Sequence, residues 1–260
     1  MQIAAVQTSI FWESPSSNYA HLEQLLKKTD KVDLIILPEM FSTGFTMNSR
    51  NIAEENEGET LSWMKKLAKQ KKAVITGSVV IEEEGNFYNR LYWVNPDNSY
   101  EIYDKKHLFR MAGENQFYSE GKNRLITEYK RMKFCPLICY DLRFPVWSRN
   151  IDQKNQTVYD CLIYVANWPE PRTDAWESLL KARAIENQSF VIGVNRIGKD
   201  GNGVTYSGGS RVFDYKGNRL DKFEYHNEQV EIINFDLSEL QEFREKFPAY
   251  LDADRFRFIE

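Results

Sequence analysis

The sequence is short of the residues on which metal and disulfide chemistry depend, with three cysteines (Cys135, Cys139, Cys161) and three histidines (His21, His107, His226) in 260 residues. A small, odd cysteine count gives no disulfide framework and suits a reducing compartment, so the cytoplasm is the expected location. Spaced Cys/His ligand pairs do not occur, which argues against a metal hydrolase. Neither a metal nor another cofactor is expected. Long hydrophobic runs are also missing. A run such as 34–37, between Asp33 and Pro38, falls far short of the roughly 20 apolar residues that cross a bilayer. Nor is there a basic excess: 34 Lys and Arg against 38 Asp and Glu leave a net charge of -4 and a pI near 5.6. Nucleic acid and anionic membrane surfaces are therefore not expected partners. The opening Met1-Gln2-Ile3-Ala4-Ala5-Val6-Gln7 has neither the basic start nor the apolar stretch of a signal peptide and reads as a strand, so export is not expected.

What is present is a 42% hydrophobic chain, enough for one large core, and residues 1–260 are read as one domain. Short Val-, Ile- and Leu-rich runs alternate with charged helix-like segments, the pattern of an α/β fold with crossover helices. Strands are expected at Gln2–Gln7, 34–37, 73–80, 133–138, 161–165, Phe190–Asn195, 210–213 and Gln229–Asn234. Helices are expected at 17–28, where Leu22, Leu25 and Leu26 share a face, and at Thr173–Asn187, with Trp176, Leu179, Leu180 and Ala184. Residues 79–82 and 88–94, joined by Glu83-Glu84-Gly85-Asn86, predict an antiparallel hairpin, so the sheets mix parallel and antiparallel pairing. The end of the chain, 240–260, carries Phe243, Phe247, Tyr250, Phe256 and Phe258 among many charges. It reads as a tail whose aromatics pack either on a second subunit or on this chain's own sheet edge.

Three segments carry candidate chemistry. In Leu37-Pro38-Glu39-Met40-Phe41 an acid follows an all-apolar strand, the end at which open α/β sheets hold ligands. A lone glutamate there is ordinarily a solvated loop residue. In Tyr103-Asp104-Lys105-Lys106-His107-Leu108-Phe109, two adjacent lysines would by themselves be surface charge. In Phe134-Cys135-Pro136-Leu137-Ile138-Cys139-Tyr140-Asp141-Leu142-Arg143-Phe144-Pro145, a cysteine stands where an apolar run meets a polar turn. A lone cysteine is more often simply buried. Together the three supply what a thiol nucleophile needs: a carboxylate to take its proton and an ammonium to stabilise the anion.

In this order the motifs resemble the nitrilase superfamily, the carbon–nitrogen hydrolases, from Gln7 to at least Phe213. The resemblance implies a four-layer-forming α-β-β-α sandwich with two mixed sheets, usually a homodimer, and a Glu-Lys-Cys triad. Carried over residue by residue, Glu39 matches the general base, Lys105 rather than Lys106 the lysine, and Cys139 the nucleophile. A second family glutamate matches Glu114, with Glu120 as the competitor. Tyr164-Val165-Ala166-Asn167-Trp168-Pro169-Glu170-Pro171-Arg172, Lys181-Ala182-Arg183-Ala184-Ile185-Glu186-Asn187 and Phe243-Arg244-Glu245-Lys246-Phe247-Pro248-Ala249 look like the omega-amidase branch, whose substrates are amides of α-keto acids such as 2-oxoglutaramate.

Such a substrate needs a cation for its carboxylate, and Arg143 and Arg172 are the candidates. The plainer alternatives are that Arg143 pairs with Asp141 or another acid and that Arg172 is a solvated loop charge. Phe41 and Trp168 are candidates to shape the pocket, with core packing as the alternative, and Tyr140 is expected to offer its backbone N–H, beside Lys105, to an oxyanion. His107 matches a structural position of the family rather than a base. The rival readings are another carbon–nitrogen hydrolase (aliphatic amidase, N-carbamoyl amino acid hydrolase or nitrilase), a non-enzymatic binding protein, and a redox sensor built on Cys135 and Cys139. The first keeps the triad, the second would be expected to have lost part of it, and the C-x₃-C spacing weakens the third.

Overall fold

The computed structural model describes residues 1–257, and two mixed sheets form its centre. In the larger sheet the strands lie in the order Gln229–Asn234, Gln2–Gln7, Leu34–Ile36, Val74–Glu83, Asn86–Val94, Tyr100–Asp104, with Glu54–Glu55 on the far part of Val74–Glu83. Gln2–Gln7, Leu34–Ile36 and Val74–Glu83 run parallel, Glu54–Glu55 joins Val74–Glu83 in parallel, and the other partners are antiparallel. The smaller sheet runs Arg211–Phe213, Phe190–Asn195, Cys161–Ala166, Met132–Ile138, Thr127–Tyr129, again with a parallel centre.

Side chains alternate across a strand with period two, and this alternation builds the layers. Ile3, Ala5, Leu34, Ile36, Leu91 and Trp93 point between the sheets, where they meet Phe134 and Ile138. Ala4, Val6, Ile35, Tyr92 and Val94 point the other way, against Leu22 of helix Pro15–Leu25 and Leu61, Met64 and Leu67 of helix Glu59–Lys71. The outer face of the smaller sheet is covered by Trp176, Leu180 and Ala184 of helix Thr173–Asn187 and by Leu240. The layering is helix, sheet, sheet, helix, as expected. The hairpin also forms, with longer strands than expected and a two-residue turn. Glu84 and Gly85 take φ of 52° and 77°, the left-handed pair that matches the twist of the flanking strands.

The end of the chain departs from the reading as a tail. Residues Leu237–Lys246 form a helix whose start is capped by Asp236, its Oδ1 accepting the Ser238 N–H at 2.9 Å. Leu240 is fully buried, and Arg244 is held by Asp160 at 2.8 Å and by the carbonyl of Tyr159 at 2.8 Å. Phe243 packs on Tyr215 at 4.8 Å between centroids. All of the first seven tail positions, 240–246, thus belong to a helix seated on its own chain through a buried leucine, an arginine and an aromatic, a pattern that the surrounding charges had hidden. Phe247, Leu251 and Phe256 are exposed, and Phe258 lies outside the described residues.

Candidate active site

Strand ends place the functional side chains. Leu34–Ile36 runs out through Leu37 and Pro38 into Glu39, and the turn is fixed by Met40, whose φ is 43° and whose N–H donates to Ser78 Oγ at 2.9 Å. Met132–Ile138 runs out into Cys139, which opens the short 3-10 turn Cys139–Arg143 with φ of 44°. A left-handed conformation at a residue other than glycine carries strain and is kept where the surroundings hold it. Lys105 follows Tyr100–Asp104 directly, and its N–H pairs with the carbonyl of Asn89 at 3.0 Å on the neighbouring strand. Glu114 opens the helical turn Glu114–Phe117. The returning chain packs tightly on the lysine segment: a Cβ on Gly121 would stand 2.0 Å from the carbonyl oxygen of Asp104, and the Gly121 N–H donates to the carbonyl of Lys105 at 2.9 Å.

Glu39, Lys105 and Glu114 are fully buried and form one charged cluster. The Lys105 ammonium donates to Glu39 Oε1 at 2.8 Å and to Glu114 Oε1 and Oε2, both at 3.0 Å. Asn89 Nδ2 donates to Glu39 Oε1 at 2.8 Å, and the Asn167 N–H donates to Glu39 Oε2 at 2.8 Å. Glu114 Oε2 also accepts the Phe109 N–H at 2.5 Å. The Cys139 thiol makes a weak contact with the carbonyl of Asn167 at 3.9 Å and lies within the electrostatic reach of Glu39 and Lys105.

Burial pushes the Cys139 thiol well above its ordinary value; Glu39 adds to the rise and Lys105 opposes it. The resting group is therefore a neutral thiol. Burial works against the Lys105 charge, but Glu114, Glu39 and Cys139 outweigh it, so the ammonium is held more firmly than usual. Glu114 is raised by burial, and by Glu39, against the pull of Lys105.

Above the cluster lies a cavity of about 530 Å³ whose lining includes Phe45, Lys105, Phe109, Met111, Cys139, Tyr140, Arg143, Asn167, Trp168, Arg172 and Tyr206. Of the residues singled out in the sequence, Lys105 and Cys139 line its floor with Glu39 and Glu114 buried beneath it on the Lys105 ammonium, while Tyr140, Arg143, Trp168 and Arg172 stand in its walls. Phe41 does not. It is 1% exposed and packs with Trp63 and Leu37 behind the larger sheet, on the side away from the cavity, and Phe45 takes the wall position. Glu120 is an exposed residue paired with Lys106 at 3.5 Å, which separates it from Glu114.

Nor does Arg143 pair with Asp141. Asp141 is fully buried and accepts from Tyr103 Oη at 2.7 Å, the Ile138 N–H at 3.0 Å, and the N–H and Nδ1 of His107 at 3.0 and 2.8 Å. It clamps the lysine segment to the cysteine turn, which is also the place of His107. Arg143 instead lies 5.0 Å over the Trp168 ring, and Arg172 lies 5.5 Å over Phe109 with Nη2 3.0 Å from Met111 Sδ. Among the described residues neither arginine has a carboxylate partner. Asp200, also in the wall, is already satisfied by Tyr206 Oη and the N–H groups of Asn202 and Val204.

Asn89 and Asn167 were not singled out from the sequence. Each carried a signal: Asn89 is polar on the buried face shared with Leu91 and Trp93, and Asn167, like Glu39, follows an all-apolar strand. Among the described residues no group of three or more His, Cys, Asp and Glu side chains is arranged to hold a metal, and no helix is long and apolar enough to cross a membrane.

The family profile described as carbon-nitrogen hydrolase matches residues 2–245. The omega-amidase YafV of Escherichia coli K12 is 42% identical over 259 residues, 99% of this chain and 98% of that one. The 2-oxoglutaramate amidase of Bacillus subtilis is 35% identical over 254 residues, 96% of each chain. Among solved structures, XC1258 of Xanthomonas campestris, a CN-hydrolase superfamily protein with an arsenic adduct in its active site, is 41% identical with a TM-score of 0.96, covering 99% of this chain and 98% of that one.

Proposed function

The chain belongs to the carbon-nitrogen hydrolase family, and from that premise we propose that it is an omega-amidase, hydrolysing the terminal amide of a small α-keto acid amide such as 2-oxoglutaramate or 2-oxosuccinamate to the dicarboxylic keto acid and ammonia. The observation that carries this reading is a thiol and lysine at the floor of a cavity, with two buried acids on the lysine beneath it, and walls that hold two arginines with no carboxylate partner among the described residues. In this reading Glu39 takes the Cys139 proton as Sγ attacks the amide carbon. The oxyanion meets the backbone N–H of Tyr140 in the field of the Lys105 charge. The C–N bond then breaks as the leaving nitrogen takes the proton from Glu39 and departs as ammonia. Water, deprotonated by Glu39, hydrolyses the thioester and returns the thiol. The raised Cys139 thiol accords with proton transfer coupled to attack rather than with a resting thiolate.

Arg143 and Arg172 are assigned to the substrate carboxylate. Losing a hydrogen bond to a charged group costs about 1.5–3 kcal/mol. Arg143→Gln or Arg172→Gln is accordingly expected to raise KM for a keto acid amide by roughly tenfold or more, with kcat changed far less. Steady-state kinetics should also show that esterifying the substrate carboxylate costs the wild type a similar factor and the variants little. Equal hydrolysis of the acid and its ester by the wild type would sink the carboxylate assignment.

The proposed assembly is a homodimer to which the exposed Phe247, Leu251 and Phe256 contribute, with sedimentation velocity as its check. The proposed location is the cytoplasm, on the strength of three unpaired cysteines.

A further inference from the structure

Asn89 and Lys105 are cross-strand neighbours on the face of the larger sheet that looks toward the smaller one. The register that pairs Arg90 with Asp104 puts Asn89 beside Lys105, and the Lys105 N–H to Asn89 carbonyl bond of 3.0 Å continues that ladder. Residues directly opposite in an antiparallel pair share a face. The Asn89 amide therefore enters the charged cluster from the same side as the ammonium, and it is fully buried there.

Its Nδ2 reaches Glu39 Oε1 at 2.8 Å and Glu114 Oε1 at 3.4 Å. Its Oδ1 has no donor among the described residues. A fold that leaves a buried amide oxygen unpaired gives up stability, and the opposite orientation would set Oδ1 against two carboxylates. The donor placement is what this arrangement secures.

Counting donors on the four carboxylate oxygens shows what it does. Glu39 Oε1 receives Lys105 and Asn89; Glu114 Oε1 receives Lys105 and Asn89; Glu114 Oε2 receives Lys105 and the Phe109 N–H. Among the described residues Glu39 Oε2 alone receives a single donor, the Asn167 N–H. An oxygen already engaged by two donors is a poor proton acceptor, because each donor stabilises its unprotonated form.

We propose that Asn89 is a positioning residue that occupies Glu39 Oε1, so that Oε2 is the oxygen that takes the Cys139 proton and later hands it to the leaving nitrogen. This inference rests on the reading of Glu39 as the base. Asn89 itself touches neither the thiol nor the cavity; it acts through Glu39.

The test uses the full-length protein with Asn89→Leu, nearly the same size without the donor, and Asn89→Ala, smaller and free of overpacking should the leucine variant not fold. Two readouts are taken across pH: turnover of 2-oxoglutaramate, and the rate of Cys139 alkylation by iodoacetamide, which needs no substrate. A carboxylate that loses a hydrogen bond to its charged form holds its proton more tightly. The acid limb of kcat/KM, and that of alkylation, should move to higher pH by about one unit. kcat should fall roughly tenfold to hundredfold with KM within about twofold, as for a misplaced reacting group. A fall in rate with both acid limbs unmoved would mean a packing role only and would overturn the proposal, as would unchanged kinetics. A wild type inactive on keto acid amides would count against the substrate reading, and the alkylation profiles would still decide the role of Asn89.

Discussion

Cys139→Ala is expected to lower kcat for keto acid amide hydrolysis on the order of 10⁴- to 10⁶-fold, the scale of losing a nucleophile that works as part of a unit. The other two thiols cannot stand in for it. Cys135 and Cys161 have no exposed surface and sit in the core between and behind the sheets, and burial pushes the Cys135 thiol up to about 12. Cys139 keeps 8% of its surface open, toward the cavity. The alanine variant loses only a sulfur whose backbone contact is 3.9 Å long, so its melting temperature should stay close to that of the wild type. Mass spectrometry after iodoacetamide treatment should find one alkyl group on the native wild type, at Cys139, and none on the variant. Activity of Cys139→Ala within tenfold of the wild type would show that another group attacks.

Lys105→Met should remove both activity and a measurable part of the stability. The side chain has no exposed surface and holds two buried carboxylates, and breaking such a set by removing one partner costs about 3–5 kcal/mol. For a chain of this size that is a fall in melting temperature of roughly 10 °C. The rate should fall on the order of 10²–10³-fold or more, since the charge facing the developing anion is gone.

The sign of the pH dependence follows from Glu114. Its carboxyl is raised by burial first and by Glu39 next, with Lys105 opposing. A carboxyl whose folded value exceeds the unfolded one binds its proton more readily in the folded state, so folding is favoured as pH falls between the two values and penalised as pH rises through them. Without the ammonium that interval widens. The stability deficit of Lys105→Met should therefore be larger near about pH 8 than near about pH 5, in paired thermal or denaturant melts. A variant as stable as the wild type at about pH 8 would contradict the charged arrangement of the cluster.

How much of this could be read from the chain differs from residue to residue, for physical reasons. Strands such as Gln2–Gln7 and Phe190–Asn195 were legible because a central strand buried on both faces writes an unbroken apolar run. Glu39, Lys105 and Cys139 were legible as motifs, but their meeting was not, because their segments converge only when two sheets pack together. Asn89 was overlooked because an asparagine in a strand reads as exposure until the face it occupies is known. Phe41 was misplaced through one feature of the backbone: Met40 takes a left-handed turn, which sends Phe41 back behind the sheet toward Trp63 and leaves the cavity wall to Phe45. The expected Arg143–Asp141 pair rested on sequence proximity, while the buried Asp141 is filled by Tyr103, His107 and the Ile138 N–H.

The account's central claim is the substrate, and ammonia release by the wild type tests it most directly, with 2-oxoglutaramate and 2-oxosuccinamate set beside glutamine, asparagine, an N-carbamoyl amino acid and a simple nitrile. The account predicts that kcat/KM for the two keto acid amides exceeds that for every other compound by at least about a hundredfold, the discrimination expected when buried polar partners are left unpaired by the wrong ligand. Preferred hydrolysis of the carbamoyl compound, the nitrile or the plain amino acid amides would contradict it.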